Sequence, residues 1–118
     1  MSQRSTELQV LKESAAVTAA FDTPKMFVGD KAEVLITINV SAWTSGTLTP
    51  VLEVSDDDGT TWFYHTNSWT KDSDGTTVTT LAAADKLVGK FTNLGKHIRV
   101  ACAGSLNLTI KVAAQAKN

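Results

Sequence analysis

The residues with the greatest chemical potential lie in one short stretch, "DDDGTTWFYH", residues 56–65. Its three carboxylates could bind a cation, but a calcium loop of the EF-hand type needs acidic ligands at alternating positions and a glutamate at its twelfth place. Here the aspartates are consecutive, so their side chains diverge, and the twelfth position is Asn67. The stretch therefore predicts a tight turn in which Gly59 supplies a positive φ. A calcium site at Asp72 and Asp74, or between two loops, is the alternative.

Aromatic residues follow this turn, and they could form a platform that stacks on a sugar ring. On a strand, Trp62 and Tyr64 share one face. Such a face belongs to a hydrophobic core or a subunit interface more often than to a ligand site. Exposure separates the two interpretations, because a coplanar, solvent-facing tryptophan pair favours a glycan and buried tryptophans favour a scaffold. The candidate interface or ligand-stacking residues are Trp43, Trp62, Tyr64 and Trp69.

The remaining reactive side chains predict no catalytic centre. His65 and His97 have no second histidine or cysteine at metal-ligand spacing. Cys102 falls on the apolar face of a predicted strand, where it is expected to be a small buried hydrophobe and not a nucleophile. Hydrolase, kinase, zincin and nucleotide-binding signatures are absent from the sequence. We therefore expect a protein that is not an enzyme, with no catalytic residues, cofactor or metal.

Length and charge narrow the class of protein further. The 118 residues suit one domain, and a net charge of −1 does not suit a nucleic-acid partner. No window approaches the ~20 apolar residues of a membrane span, and the N-terminus has no signal-peptide stretch. A single cysteine cannot form an internal disulfide. These features favour a soluble protein made in a reducing cytoplasm, with no membrane partner.

The elements that would position these residues are strands. Apolar residues alternate with polar ones in 34–40, 98–102 and 106–112, and less regularly in 48–54, where Pro50 predicts an edge strand or a bulge. Glycines with Asp or Ser neighbours separate the apolar runs. This pattern predicts an all-β fold, an antiparallel β-sandwich or jelly roll of about 7–9 short strands.

The polar N-terminus suggests that the sandwich does not include the whole chain. Residues 1–14 are predicted to be an N-terminal arm, and residues 15–118 a single β-sandwich domain. Such an arm could become ordered on a partner, with Leu8, Val10 and Leu11 as its anchors. The alternative is that this segment is itself a strand of the core.

Two segments together resemble a family of phage proteins. They are "INVSAWTSGTLTPVLEVSDDDGTTWF" and "LGKHIRVACAGSLNLTIKVAAQAK", which cover about half of the chain. Their order of an apolar strand, a Ser/Gly turn, "TLT", an acidic turn before Trp, and a closing "LTI" strand is similar to the small β-sandwich virion accessory proteins of tailed bacteriophages, chiefly head decoration or cement proteins. His97 departs from the aromatic residue often seen before the "IRV" stretch.

The resemblance implies a structural role without chemistry. It implies a small homo-oligomer, a trimer or dimer, that binds the major capsid protein on the outer capsid surface and stabilises the lattice. It transfers no catalytic residue. Two alternatives stay open: a carbohydrate-binding β-sandwich module on a virion or tail, with a glycan as partner, or another minor capsid or tail structural protein.

Overall fold

The computed structural model describes residues 7–117, which form eleven β-strands and no helix. The all-β fold class is confirmed, and the strand number exceeds the expected 7–9 because four strands have only two or three residues. Segments that short carry no readable alternation. The strands are β1 Glu7–Val17, β2 Phe21–Asp22, β3 Met26–Phe27, β4 Glu33–Gly46, β5 Thr49–Ser55, β6 Phe63–Thr66, β7 Trp69–Lys71, β8 Thr77–Val78, β9 Lys86–Phe91, β10 His97–Ala103 and β11 Leu106–Lys117.

The strands form two antiparallel sheets around one core. The six-stranded sheet has the order β1-β11-β4-β9-β7-β8. The five-stranded sheet has the order β2-β10-β5-β6, and β3 also pairs with β10. Strands far apart in sequence are neighbours in both sheets, so the turns alone do not define the topology. This arrangement is a β-sandwich, with one face of each sheet turned outwards.

Alternation along the long strands fills the space between the sheets. In β4 the side chains of Val34, Ile36, Ile38 and Val40 are buried. In β10 and β11 every second residue is likewise buried, and all belong to one core cluster. The alternation of apolar and polar residues in the sequence therefore identifies the face of each strand that is buried between the sheets.

Trp69 links the two sheets through its side chain. It lies in β7 of the six-stranded sheet, and its indole Nε1 donates a hydrogen bond to the carbonyl oxygen of Pro50 in β5, 2.8 Å away. Its ring also packs edge-on against Phe91, with ring centroids 5.2 Å apart. The largest buried side chain thus has its one polar atom satisfied across the core.

The prediction of an edge strand at Pro50 is wrong, and the register shift in the pairing of β5 with β6 lies between Leu52 and Glu53 and not at Pro50. Strand β5 lies between β10 and β6 and is an inner strand of the five-stranded sheet. A proline is tolerated at this position because β6 pairs with β5 only from Leu52 onwards. No β6 residue lies opposite Pro50, so no backbone carbonyl of β6 requires the hydrogen bond that a proline cannot donate.

The predicted arm also needs correction. Residues 7–14 belong to β1, which pairs with β11 from Glu7 opposite Ala116 to Val17 opposite Leu108. They are part of the six-stranded sheet and not a separate arm, because their backbone continues the same ladder as residues 15–17. Residues 1–6 of the predicted arm lie outside the described residues.

Candidate functional site

The acidic turn is held by hydrogen bonds from two of its own side chains, Ser55 and Asp57, to each other and to its backbone. The carboxylate of Asp57 accepts hydrogen bonds from the Thr61 N–H and the Ser55 hydroxyl, each at 2.8 Å. The Ser55 oxygen in turn accepts the N–H of Gly59 at 3.0 Å. The Thr61 N–H, and after it the Ser55 hydroxyl, stabilise the charged form and lower the pKa of Asp57 to about 2. This carboxylate closes a turn.

The neighbouring carboxylates point to other partners. Asp56 accepts the backbone N–H of Lys96, and Asp58 pairs with the Lys25 ammonium at 2.9 Å. The hydrogen bond from Lys25 lowers the pKa of Asp58. Asp58 and Gly59 both have positive φ, 66° and 87°. The predicted tight turn is confirmed, and the sequence missed only that Asp58 also adopts the left-handed conformation, which Asp tolerates better than most residues.

Metal ligands do not converge in the part of the chain that the structure describes. Residues 7–117 contain no group of three or more His, Cys, Asp or Glu side chains placed to hold an ion. The two aspartates of the alternative calcium site, Asp72 and Asp74, flank a second turn, where Asp74 accepts hydrogen bonds from both the N–H and the hydroxyl of Thr76. Residues 7–117 also contain no helix long and apolar enough to cross a membrane.

The three tryptophans lie in three different environments. Trp69 is buried in the core, with 1% of its surface exposed. Trp43 is half-buried and packs against the core from β4, opposite Leu108. Trp62 is half-buried, with the Arg99 guanidinium 4.5 Å above its ring centroid. The structure does not bring them together, so residues 7–117 contain no exposed tryptophan pair.

Arg99 is the centre of a polar cluster that the sequence did not reveal. Its Nε donates to a Glu53 carboxylate oxygen at 2.7 Å, and its Nη1 lies 3.4 Å from a carboxylate oxygen of Asp22. Trp62 covers the guanidinium. The charged members come from three strands of the five-stranded sheet, β2, β5 and β10, and Trp62 directly precedes β6. In the sequence, only the alternation of 97–101 indicated that Arg99 faces outwards.

Tyr64 is the most exposed of the four candidate aromatic residues, at 63%. The register places it in one row with Glu53 and Arg99 on the outer face of the five-stranded sheet. Its hydroxyl donates to the side-chain oxygen of Asn67 at 3.0 Å. Phe63, its neighbour in β6, points to the opposite side and is 60% exposed.

Cys102 and the histidines have structural contacts. Cys102 is buried, and desolvation, with a smaller contribution from Asp22, raises the pKa of its thiol to about 12. A thiol so seldom ionised suits a core position, as predicted. His65 Nε2 lies 2.7 Å from the carbonyl oxygen of Thr92, and the His97 ring packs edge-on against Phe27.

The outer face of the six-stranded sheet carries exposed apolar side chains in register. Of the three predicted arm anchors, Leu8 and Val10 lie here, 63% and 39% exposed, whereas Leu11 is buried in the core. Leu35 of β4 is 37% exposed on the same face. Two adjoining rows cross the sheet here, of which the first ends at Lys90 in β9 and the second has no charged side chain. We call their uncharged members the uncharged band. Its members are Leu8, Gln115 and Leu35 in one row, and Val10, Ala113, Thr37, Val88 and Thr70 in the other.

Comparison with known proteins gives one informative likeness. No protein-family model and no curated protein sequence matches the chain. Among solved structures, the SPBc2 prophage-derived protein YomS is similar over 100% of this chain and 97% of its own, with a TM-score of 0.68 and 16% sequence identity. At that identity the likeness shows a shared fold.

A second solved structure is similar only weakly. It is the N-terminal part of the Clostridium thermocellum endo-1,4-beta-D-xylanase 10B, comprising CBM22-1 and GH10 modules, in complex with xylohexaose. The match covers 96% of this chain and 24% of that chain, with a TM-score of 0.46 and 6% identity. A likeness of this size carries no functional argument.

Proposed function

We propose that this chain is a structural phage protein that binds the outer surface of the capsid and stabilises its lattice, as head decoration or cement proteins do. Its role is binding, with no catalytic step. The major capsid protein is the proposed partner, and the proposed location is the capsid surface after synthesis in the host cytoplasm. A dimer or trimer would offer the lattice several copies of one contact.

The uncharged band on the six-stranded sheet is the observation that carries this proposal. Leu8, Val10 and Leu35 are large apolar side chains that the fold leaves exposed on one sheet face. An apolar surface with a polar rim is typical of a protein-binding site. Isolated exposed apolar residues need no explanation, but residues aligned across neighbouring strands form a continuous surface.

Two further observations support the phage context. The sequence resembles virion accessory proteins in two segments, and the prophage-derived protein YomS shares the fold across the whole chain. The tryptophans also favour a scaffold over a sugar platform, since Trp69 is buried, Trp43 packs on the core and Trp62 lies against Arg99.

The proposal is tested on phage particles made without this chain. Purified protein is added back, and the temperature at which the particles release their DNA is compared with and without it. A lattice clamp stabilises the assembled state in proportion to its occupancy, so the release temperature should rise and then saturate. An unchanged release temperature at saturating protein contradicts the proposal.

A carbohydrate-binding role is the second candidate, and the exposed ring of Tyr64 favours it. This ring lies in one row with Glu53 and Arg99, which could donate and accept hydrogen bonds to sugar hydroxyls. A glycan array with the wild-type chain and with Tyr64→Ala tests it, and Phe63→Ala on the other side of β6 is the matched control. Loss of a glycan signal in Tyr64→Ala alone would support this candidate, and no signal with the wild-type chain would reject it.

A further inference from the structure

The charges around the uncharged band lie on both sides of it. Lys86 and Lys111 flank the band in the next row along the strands, on either side of Asn39. On the opposite side, Lys90 ends the Leu35 row and Lys117 lies opposite Glu33 in the row beyond it. Their ammonium groups are 3.8 and 3.6 Å from the Glu33 carboxylate. A strip of uncharged side chains thus runs between two lysine-bearing edges.

The side chains of the band and its flanking lysines line two shallow depressions on this face. Leu8, Thr37, Asn39, Lys86, Lys111 and Ala113 line one shallow depression, and Leu35, Thr70, Val88 and Lys90 contribute to another together with Asp72. Two acids, Glu33 and Asp72, line these depressions and the adjoining one at Gln115, together with five lysines: Lys71, Lys86, Lys90, Lys111 and Lys117. This face therefore has a local excess of positive charge on a protein whose net charge is −1.

The dimensions of the face suit a specific protein contact. The four longer strands β1, β11, β4 and β9, ~4.8 Å apart, span about 19 Å, and four rows of same-side residues ~6.8 Å apart span about 27 Å. The product, about 500 Å², is roughly two thirds of the ~800 Å² that each partner contributes to an interface of standard size. The short strands β7 and β8 extend the face further. The uncharged band then occupies the centre, where interfaces are depleted of charge, and the lysines occupy the rim.

Charge also decides between a second copy and a different partner. Both edges of the band carry lysines, so a two-fold contact of this face with itself would place lysines opposite lysines. Like charges brought together across an interface are strongly unfavourable. A nucleic acid is disfavoured as well, because its phosphates would lie over an uncharged centre.

We propose that the outer face of the six-stranded sheet is the surface that contacts the capsid, and that it binds an acidic protein surface whose carboxylates flank an uncharged strip. The two sets of carboxylates lie about 20 Å apart, matching the three row spacings between Lys111 and Lys117. This inference rests on the proposed function, and it specifies the surface of the chain and the chemistry of the partner.

Single charge reversals test the inference on the same phage particles. Lys86→Glu and Lys111→Glu are compared with Lys96→Glu, a reversal in the exposed segment between β9 and β10. Binding is measured by co-sedimentation over a range of protein concentrations. Each reversal on the face should weaken binding at least tenfold, since it sets like charges opposite each other, and Lys96→Glu should bind as the wild type does.

A variant in the centre of the band provides a second test. Thr37→Arg places a long charged side chain in the centre of the uncharged band and should weaken binding at least tenfold as well. Thermal unfolding of each variant confirms that it is folded. Wild-type binding should weaken as salt is raised from 50 to 300 mM, because the rim contacts are screened.

The outcomes separate the two proposals. Equal binding by the wild type, Lys86→Glu, Lys111→Glu and Thr37→Arg overturns the inference and leaves capsid binding intact. Failure of the wild-type chain to bind particles overturns the proposed function and this inference with it. Displacement of the wild type from particles by duplex DNA at low salt would also overturn the inference, since the face would then bind phosphates.

Discussion

At the scale of single residues, the turn at 55–61 follows from local chemistry. Asp and Gly favour such turns wherever they occur, so the sequence predicted it without knowledge of the fold. The buried position of Trp69 could not be predicted in the same way. It depends on the β5 carbonyl at Pro50, nineteen residues away, and on Phe91. Contacts between distant strands leave no local signature.

The hydrogen bonds to Asp57 predict a specific dependence of stability on pH. Its folded pKa of about 2 lies below the ordinary value of 3.8, so its charged form stabilises the fold above pH ~4, and that contribution is lost as the pH falls towards 2. Asp57→Asn should therefore lower the melting temperature at pH 7, with a difference that narrows between pH 4 and 2. Thermal unfolding across this range measures it.

The control for this prediction is Asp30→Asn. The Asp30 side chain is 70% exposed, and its carboxylate lies 3.4 Å from the ammonium of the neighbouring Lys31. It should change the melting temperature little at any pH. A difference between wild type and Asp57→Asn that is constant down to pH 2 would show that the charge of Asp57 does not hold the turn.

The hydrogen bond between the Trp69 indole and the Pro50 carbonyl predicts that two substitutions of Trp69 reduce stability by different amounts. Trp69→Ala should lower the free energy of unfolding by about 3–5 kcal/mol, because it leaves a cavity between the sheets. Trp69→Phe should cost less, about 1–3 kcal/mol, mainly because the Pro50 carbonyl loses its donor. Urea denaturation measures both, with Trp43→Phe as the half-buried control. Equal stability of wild type and Trp69→Phe would contradict a role for the hydrogen bond.

At the scale of elements, the sequence predicted long strands better than short ones or their order. The alternation in 34–40, 98–102 and 106–112 identified the inner parts of β4, β10 and β11, because burial of one face imposes a period of two. Residues 7–14 were assigned to an arm because the N-terminus is polar and no regular alternation identified a strand there. Two register shifts, between Val10 and Lys12 and between Lys12 and Ala15, explain why the alternation of β1 is lost.

The position of β1 in the sheet predicts that its leucines differ in importance. Leu11→Ala should lower the free energy of unfolding by about 2–5 kcal/mol, because Leu11 is part of the core cluster. Leu8→Ala should change it by less than ~0.5 kcal/mol, because Leu8 is exposed. Urea denaturation of the two variants provides a matched comparison. Similar small effects for both would indicate that β1 adds little to the stability of the sheet.

At the scale of the whole molecule, the alternation of apolar residues predicted the fold class, but the net charge concealed the distribution of charge. A net charge of −1 describes an almost neutral protein. The fold nevertheless gathers Lys86, Lys90, Lys111 and Lys117 on one sheet face, and the acidic turn follows β5 of the other sheet. This separation depends on strand register, because a slip of one residue would turn each side chain to the other face. The candidate binding surface was therefore not visible in the sequence.

We propose that this molecule occupies defined sites on a capsid. The most direct measurement is the amount of wild-type chain that co-sediments with phage particles made without it, as its concentration is raised. The proposed role predicts saturation at a fixed ratio to the major capsid protein, because a lattice offers a set number of equivalent sites. No retention on the particles, or retention that rises without saturating, would contradict the claim.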